Sequence, residues 1–208
     1  MEILLYIAAA ITAYLVSGWN PAITFSKLIY KKDIRTCGSG NPGFTNFKRT
    51  FGNKWAWFVL ALDMSKAAIV VVTYAILFNA YREGAFQFGA AYTAIFAVIG
   101  HAFPIWYGFK GGKGFLVSLS SAWVIDWRVG LIATVIMIVL LLITKFMSLS
   151  TVTAMLCCPV MLAVLGTQLS VILIMTAIVL FMAIRHKENF KRLIKGTESR
   201  FELKKKKA

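Results

Sequence analysis

The chain has 208 residues, of which 59% are hydrophobic and only 15% charged, and its mean hydropathy is +0.74. That composition is too apolar for a water-soluble domain of this length and matches the membrane class. The 23 Lys and Arg against 8 Asp and Glu leave a formal charge of +15, suited to anionic lipid headgroups and phosphate-bearing small molecules at a membrane surface.

A membrane-crossing helix needs about 17 to 25 mostly apolar residues. Seven segments qualify or come close: 3–24, 54–79, 86–104, 115–126, 129–144, 152–165 and 169–184. The first lacks a basic leader and a small-residue cleavage site, so it is expected to be a retained helix. The fourth is about two thirds of a normal span, which suits a tilted, half-buried or re-entrant helix. The expectation is an all-α, polytopic integral membrane protein with seven transmembrane helices. Its domain plan is one unit over 1–200 with a basic tail over 201–208.

Charge gives an independent check on this count, because cytoplasmic connections collect Lys and Arg. Seven crossings put Lys27, Lys31, Lys32, Arg35, Lys48, Arg49, Lys54, Lys110, Lys113, Lys145 and every basic residue from Arg185 to Lys207 on one side. Only Arg82 and Arg128 fall on the other. The N-terminus is then outside and the C-terminus cytoplasmic. Six or eight helices would split these cations between the two faces.

Three polar motifs interrupt the apolar background, and seven crossings place all three on the cytoplasmic face. In the first, Gly38, Gly40 and Gly43 allow close backbone approach, while Ser39, Asn41, Thr45 and Asn46 supply neutral donors. On a helix beginning near Thr45, Arg49 would share that residue's face and add a guanidinium. In the second, His101 ends one helix and Lys110, Gly111, Gly112, Lys113 and Gly114 open the next, a setting for free N–H groups and fixed charge. It is not a nucleotide P-loop, because Tyr107 stands at the first glycine position, Gly114 replaces the Ser or Thr, and no strand precedes it.

In the third motif, His186 and Asn189 lie on one helical face among Arg185, Lys187, Lys191 and Arg192. Alone it would read as a basic amphipathic helix on the membrane surface. Ser148, beside Lys145, brings a hydroxyl to the same edge, either as a helix cap or as a ligand. Within the second helix, Asp63 and Lys66 are spaced to neutralise each other.

The three cysteines, Cys37, Cys157 and Cys158, have no metal-ligand spacing and suggest neither a disulfide framework nor a reactive thiol. Neither a metal set nor a nucleophilic triad can be assembled, so no metal or cofactor is expected. Chemistry at this face must ask little of the protein, and positioning and electrostatics suffice if one substrate is already an activated, phosphate-bearing electrophile.

With Gly38 to Asn46, Gly100 to Pro104, Phe109 to Gly114, and His186 to Leu193 followed by Gly196 and Glu198, the chain resembles the PlsY family of bacterial acyl-phosphate-dependent glycerol-3-phosphate acyltransferases. Phe44 is a small departure, since many of that family carry alanine there. The resemblance implies a multi-pass enzyme of the bacterial inner membrane with its active site facing the cytoplasm. It implies transfer of a fatty acyl group from acyl phosphate to the 1-hydroxyl of glycerol 3-phosphate, giving lysophosphatidic acid and phosphate without acyl-CoA or acyl carrier protein as direct donor.

The expected catalytic residues are Lys113, His186, Asn189, Arg49 and Ser39. The first motif with Lys113 would hold one phosphate, and Arg49, His186 and Asn189 would orient the other. Gly38, Gly40, Asn41, Gly43, Thr45, Asn46, His101, Lys110, Gly111, Gly112, Gly114, Ser148 and Arg192 are expected to bind substrate. His101, His186 or a substrate phosphate oxygen could accept the proton, with the phosphate preferred. The expected partners are acyl phosphate, glycerol 3-phosphate and membrane lipids, with no nucleic acid, for a monomer. The rival is a transporter or channel for a small phosphorylated anion, which would need internal repeats and access from both sides. A CDP-alcohol phosphotransferase would need a carboxylate-rich metal motif that the chain lacks.

Overall fold

The computed structural model describes residues 2–202, so Lys204 to Lys207 of the expected basic tail lie outside the described residues. Ten α-helices follow one another: α1 (Glu2–Gly18), α2 (Pro21–Tyr30), α3 (Phe44–Phe51), α4 (Ala56–Tyr81), α5 (Phe86–Ala102), α6 (Phe115–Ile125), α7 (Trp127–Thr144), α8 (Met147–Val164), α9 (Leu169–Arg185) and α10 (Lys187–Ile194). Short 3-10 turns occupy Ile34–Thr36 and Ile105–Tyr107, and no strand occurs among the described residues.

Five stretches are long and apolar enough to cross a membrane: Glu2–Tyr30, α4, Phe86–Tyr107, α7 and α8. Helices α9 and α10, bent by 54°, make a sixth when taken together. Helix α6 has only 11 residues, about 16 Å at the α-helical rise, and is the segment whose shortness was already visible in sequence. The protein is therefore a multi-pass helical membrane protein with five or six helices of spanning length among the described residues, against the seven crossings expected.

Small residues set the packing. Lipid offers little hydrophobic drive between helices, so close backbone approach has to supply the contact energy. Ala67 and Ala75 of α4 and Ala90, Ala94 and Ala97 of α5 are fully buried, as is Ala13 of α1. Between helices the fit is tightest at Gly100, where a Cβ would stand 2.2 Å from the Tyr14 carbonyl oxygen of α1. Large side chains such as Ile69, Leu142 and Val164 point outward instead.

The first apolar segment is broken where one helix over 3–24 was expected. Pro21 has no N–H to donate, and Asn20 caps α2 by accepting the Ile23 N–H through Oδ1 at 3.0 Å. The Ile23 N–H would otherwise have gone to the Trp19 carbonyl, which instead accepts from Lys66 Nζ at 2.5 Å. Helix α8 begins at Met147, ahead of the expected 152, so Ser148 and Thr151 ride on its first turns.

Gly100→Ala should force α1 away from α5. We expect a loss of about 1–3 kcal/mol, read as a lower apparent Tm of the detergent-purified protein.

Candidate active site

One cavity of about 910 Å³ opens at one end of the bundle. Its walls come from α3, the first turns of α4, α6 and α8, the last turns of α5 and α7, the α9–α10 bend and residues 198–202. Of the residues singled out in sequence, Ser39, Asn41, Gly43, Thr45, Asn46, Arg49, His101, Lys113, Gly114, Ser148, His186, Asn189 and Arg192 line it. Gly38, Gly40, Lys110, Gly111 and Gly112 do not.

The first loop is held by its own amides. Asn46 is buried, accepts the Ser39 N–H at 3.0 Å and donates to the Cys37 carbonyl at 2.9 Å, so it braces the loop from beneath. Gly38 is needed here twice over, since its φ is +56° and a Cβ would meet Asn46 Oδ1 at 2.3 Å. Asn20 Nδ2 donates to the Pro42 carbonyl at 3.0 Å and ties the loop to the α1–α2 break. Thr45 and Arg49, four apart on α3, both face the cavity.

The second loop differs from expectation. The N–H groups of Gly111 and Gly112 are spent on the carbonyls of Ala102 and His101, each at 3.1 Å, so these glycines offer no free amide to a ligand. They are small because His101 packs beneath them: a Cβ at Gly111 would lie 2.1 Å from the His101 carbonyl oxygen, and one at Gly112 2.2 Å from His101 Nε2. Arg185 holds the loop from outside, donating to the carbonyls of Gly111 at 3.3 Å and Gly112 at 3.0 Å, with its guanidinium 5.0 Å from the Phe103 ring centre. Lys110 is exposed. The free donors of this motif are Lys113 and the first-turn N–H groups of α6, which starts at the cavity wall.

A hydrogen-bonded chain joins the second and third motifs. Lys113 Nζ donates to Asn189 Oδ1, and Asn189 Nδ2 donates to Glu198 Oε1 at 2.6 Å. The Ser148 hydroxyl donates to the same oxygen at 2.9 Å, and Arg192 Nε to Glu198 Oε2 at 2.7 Å. Burial pushes the Glu198 carboxyl up, but the donors Asn189, Arg192 and Ser148 outweigh it and hold it below the usual range. Glu198 thus orients the Asn189 amide so that its oxygen faces Lys113. In sequence it was only one letter of the third motif, and the signal for this role was a carboxylate among many cations.

Burial lowers Lys113 to a pKa of about 8, with Glu198 opposing and Arg192, Arg185 and Arg49 reinforcing the shift. His186 is lowered to about 4 by burial and then by the Lys113 charge, so its ring is neutral near pH 7. Its Nδ1 lies 2.8 Å from the Met182 carbonyl, which can only accept, so the proton sits on Nδ1 and Nε2 keeps its lone pair.

At the inner edge of the cavity, Lys66 Nζ lies 2.7 Å from Asp63 Oδ1 and 3.2 Å from His101 Nδ1. The expected Asp63–Lys66 pair is therefore present, but the contact with His101 was not anticipated. The opposite wall is apolar, with Met137, Ile138, Leu141 and Leu142 of α7 facing Trp57, Leu60 and Phe115. Ile138 and Leu142 are also exposed on the outer surface of the bundle.

Residues 198–202 close one side of the cavity, also unforeseen. The Phe201 N–H donates to the Lys145 carbonyl at 2.7 Å, Lys48 Nζ donates to the Glu202 carbonyl, and the Phe201 ring lies 4.2 Å from Lys48 Nζ and 6.3 Å from the centre of the Phe44 ring.

Comparison with known proteins identifies the family of the chain. Residues 7–196 match the family model described as glycerol-3-phosphate acyltransferase. The chain is 35% identical over 208 residues to the glycerol-3-phosphate acyltransferase of Clostridioides difficile, covering 99% of this chain and 100% of that one. To the protein of that name from Francisella philomiragia it is 35% identical over 188 residues, covering 90% and 89%. Among solved structures, the glycerol 3-phosphate form of PlsY, an integral membrane glycerol 3-phosphate acyltransferase, superposes with a TM-score of 0.86 at 30% identity, covering 95% of this chain and 96% of that one. The lysophosphatidic acid form gives 0.83 at 29% identity, with 95% of each chain covered.

The lowered Lys113 pKa has a measurable consequence. An anion favours the charged ammonium, so binding inorganic phosphate at pH 8 to 9 should take up a proton, and affinity should fall by up to about tenfold per pH unit above about 8. Calorimetry in two buffers of different ionisation enthalpy reads the uptake directly, and Lys113→Met should abolish it.

Proposed function

The chain belongs to the PlsY type of glycerol-3-phosphate acyltransferase, and from that premise we propose that it transfers an acyl group from acyl phosphate to the 1-hydroxyl of glycerol 3-phosphate. The observation that carries this reading is the two-sided cavity. Cations and amides gather at one end, and an apolar wall reaches the outer surface of the bundle at the other. Such a site suits one substrate that is small and anionic and another that carries a phosphate on a lipid tail.

In this proposal Ser39, Asn41, the α6 N-terminus and Lys113 hold one phosphate, while Arg49, His186 and Asn189 orient the other. Arg192 and Ser148 act one step back, through Glu198. The acyl tail lies along Met137, Ile138, Leu141 and Leu142. The hydroxyl oxygen attacks the acyl carbonyl carbon, the bond from that carbon to the phosphate oxygen breaks, and phosphate leaves with the electron pair. The hydroxyl proton passes to a phosphate oxygen. His186, whose pKa is about 4, is a weaker acceptor than a phosphomonoester dianion, which takes up a proton at about pH 6.

The proposal includes seven crossings with α6 as a thin one, a single domain over 1–200, the N-terminus outside and the site facing the cytoplasm of a bacterial inner membrane. Two observations support it. Site residues sit at alternate ends of successive helices: the start of α4, the end of α5, the start of α6, the end of α7, the start of α8 and the end of α9. Arg49, Lys113, Lys145, Arg192 and Arg200 line the cavity at that same edge. A monomer suffices, since one chain supplies every wall of the cavity.

Detergent-purified protein given glycerol 3-phosphate and palmitoyl phosphate should form lysophosphatidic acid without a sealed compartment, and palmitoyl-CoA should not replace the donor. Lys113→Met should lower kcat/KM by roughly 10²–10³-fold, while His186→Ala should keep measurable turnover. Complete loss in His186→Ala with acyl phosphate still bound would reject substrate-assisted proton removal.

A further inference from the structure

We propose that the buried Lys66 ammonium fixes His101 in the tautomer that carries its hydrogen on Nε2, so that His101 serves as a hydrogen-bond donor to an anionic oxygen of bound substrate and not as a base. The assignment rests on the acyl-transfer reading for its chemistry, and on geometry alone for the tautomer.

An ammonium has three N–H groups and no lone pair. Lys66 has three partners: Asp63 Oδ1 in an ion pair at 2.7 Å, the Trp19 carbonyl at 2.5 Å and His101 Nδ1 at 3.2 Å. The Trp19 carbonyl is available only because Asn20 and Pro21 break the first helix and redirect the Ile23 N–H. All three side chains are buried, with Lys66 6%, Asp63 3% and His101 4% exposed, so an unpaired N–H among them is costly.

A hydrogen on Nδ1 would confront the ammonium donor to donor at 3.2 Å and leave one ammonium proton without an acceptor. The alternative acceptor for that hydrogen, Asp63 Oδ1, lies at 3.4 Å, beyond ordinary N–H···O length. The lone pair therefore belongs on Nδ1 and the hydrogen on Nε2. No acceptor pairs with Nε2 among the described residues, and the ring lines the cavity. Gly112 lies against Nε2, where any Cβ would crowd it at 2.2 Å. His186 has the opposite sense, with its hydrogen on Nδ1 toward Met182.

The chain has two histidines, which makes the test direct. In the detergent-solubilised protein labelled with ¹⁵N-histidine, NMR should show one Nε2–H ring, lost in His101→Gln, and one Nδ1–H ring that survives. Lys66→Met should convert the His101 signal to Nδ1–H, with Asp63 accepting the hydrogen bond from that nitrogen. An Nδ1–H or imidazolium pattern for His101 in the unmodified protein overturns the assignment whether or not that variant folds.

In the acyltransferase assay His101→Phe should lose about 10- to 100-fold, and His101→Gln, whose amide nitrogen can donate from nearly the same place, should recover most of it. A loss in kcat at constant KM places the accepting oxygen on the acyl carbonyl. A rise in KM for one substrate places it on that substrate's phosphate. Turnover in His101→Phe equal to the unmodified protein, or Gln no better than Phe, overturns the donor role. Absence of acyl transfer in the unmodified protein would instead overturn the functional reading and leave the tautomer result standing.

Discussion

An ammonium held largely out of water, touching an amide oxygen and no carboxylate, is the constraint around which this site is built. Lys113 donates to Asn189, while the nearby negative charge, Glu198, is committed to Arg192, Ser148 and the Asn189 amide. The pocket's own side chains therefore leave this ammonium short of anion, and burial pushes it toward neutrality. In the proposed reaction a substrate phosphate supplies the missing charge. Lysine suits such a place better than arginine, because it can release its proton when no anion is present.

Around that charge the backbone does much of the shaping. Asn46 braces the first loop, Arg185 grips the carbonyls of the second, and Gly111 and Gly112 are small so that the loop can lie on His101. Glycines in a phosphate-binding motif invite the reading that their amides bind the ligand. Here that inference fails for two of them, since the amides already serve the Ala102 and His101 carbonyls. The free N–H groups belong to the helix that follows.

Much of this was legible in the chain itself. Apolar length and the one-sided distribution of Lys and Arg gave a polytopic helical protein with its motifs on one face, and the four-residue spacing of Thr45 and Arg49 put both on one wall. What escaped notice depends on distance across the fold. Nothing local says that Lys66 meets His101, 35 positions away, or that Glu198 meets Ser148, 50 away. The break at Asn20-Pro21 was legible in principle, as a capping residue before a proline at the first helical position. An apolar run on both sides masked it.

Beyond Glu198, the segment that closes the cavity makes its hydrogen bonds through main-chain atoms: the amide of residue 201 on the Lys145 carbonyl, and the carbonyl of residue 202 on Lys48. A tether of that kind is largely blind to the identity of the side chains it carries. Sequence drift across it is tolerated more readily than a change in the number of residues between α10 and the anchor, because insertion or deletion shifts both attachment points at once. In this corner of the molecule, spacing is under tighter constraint than spelling.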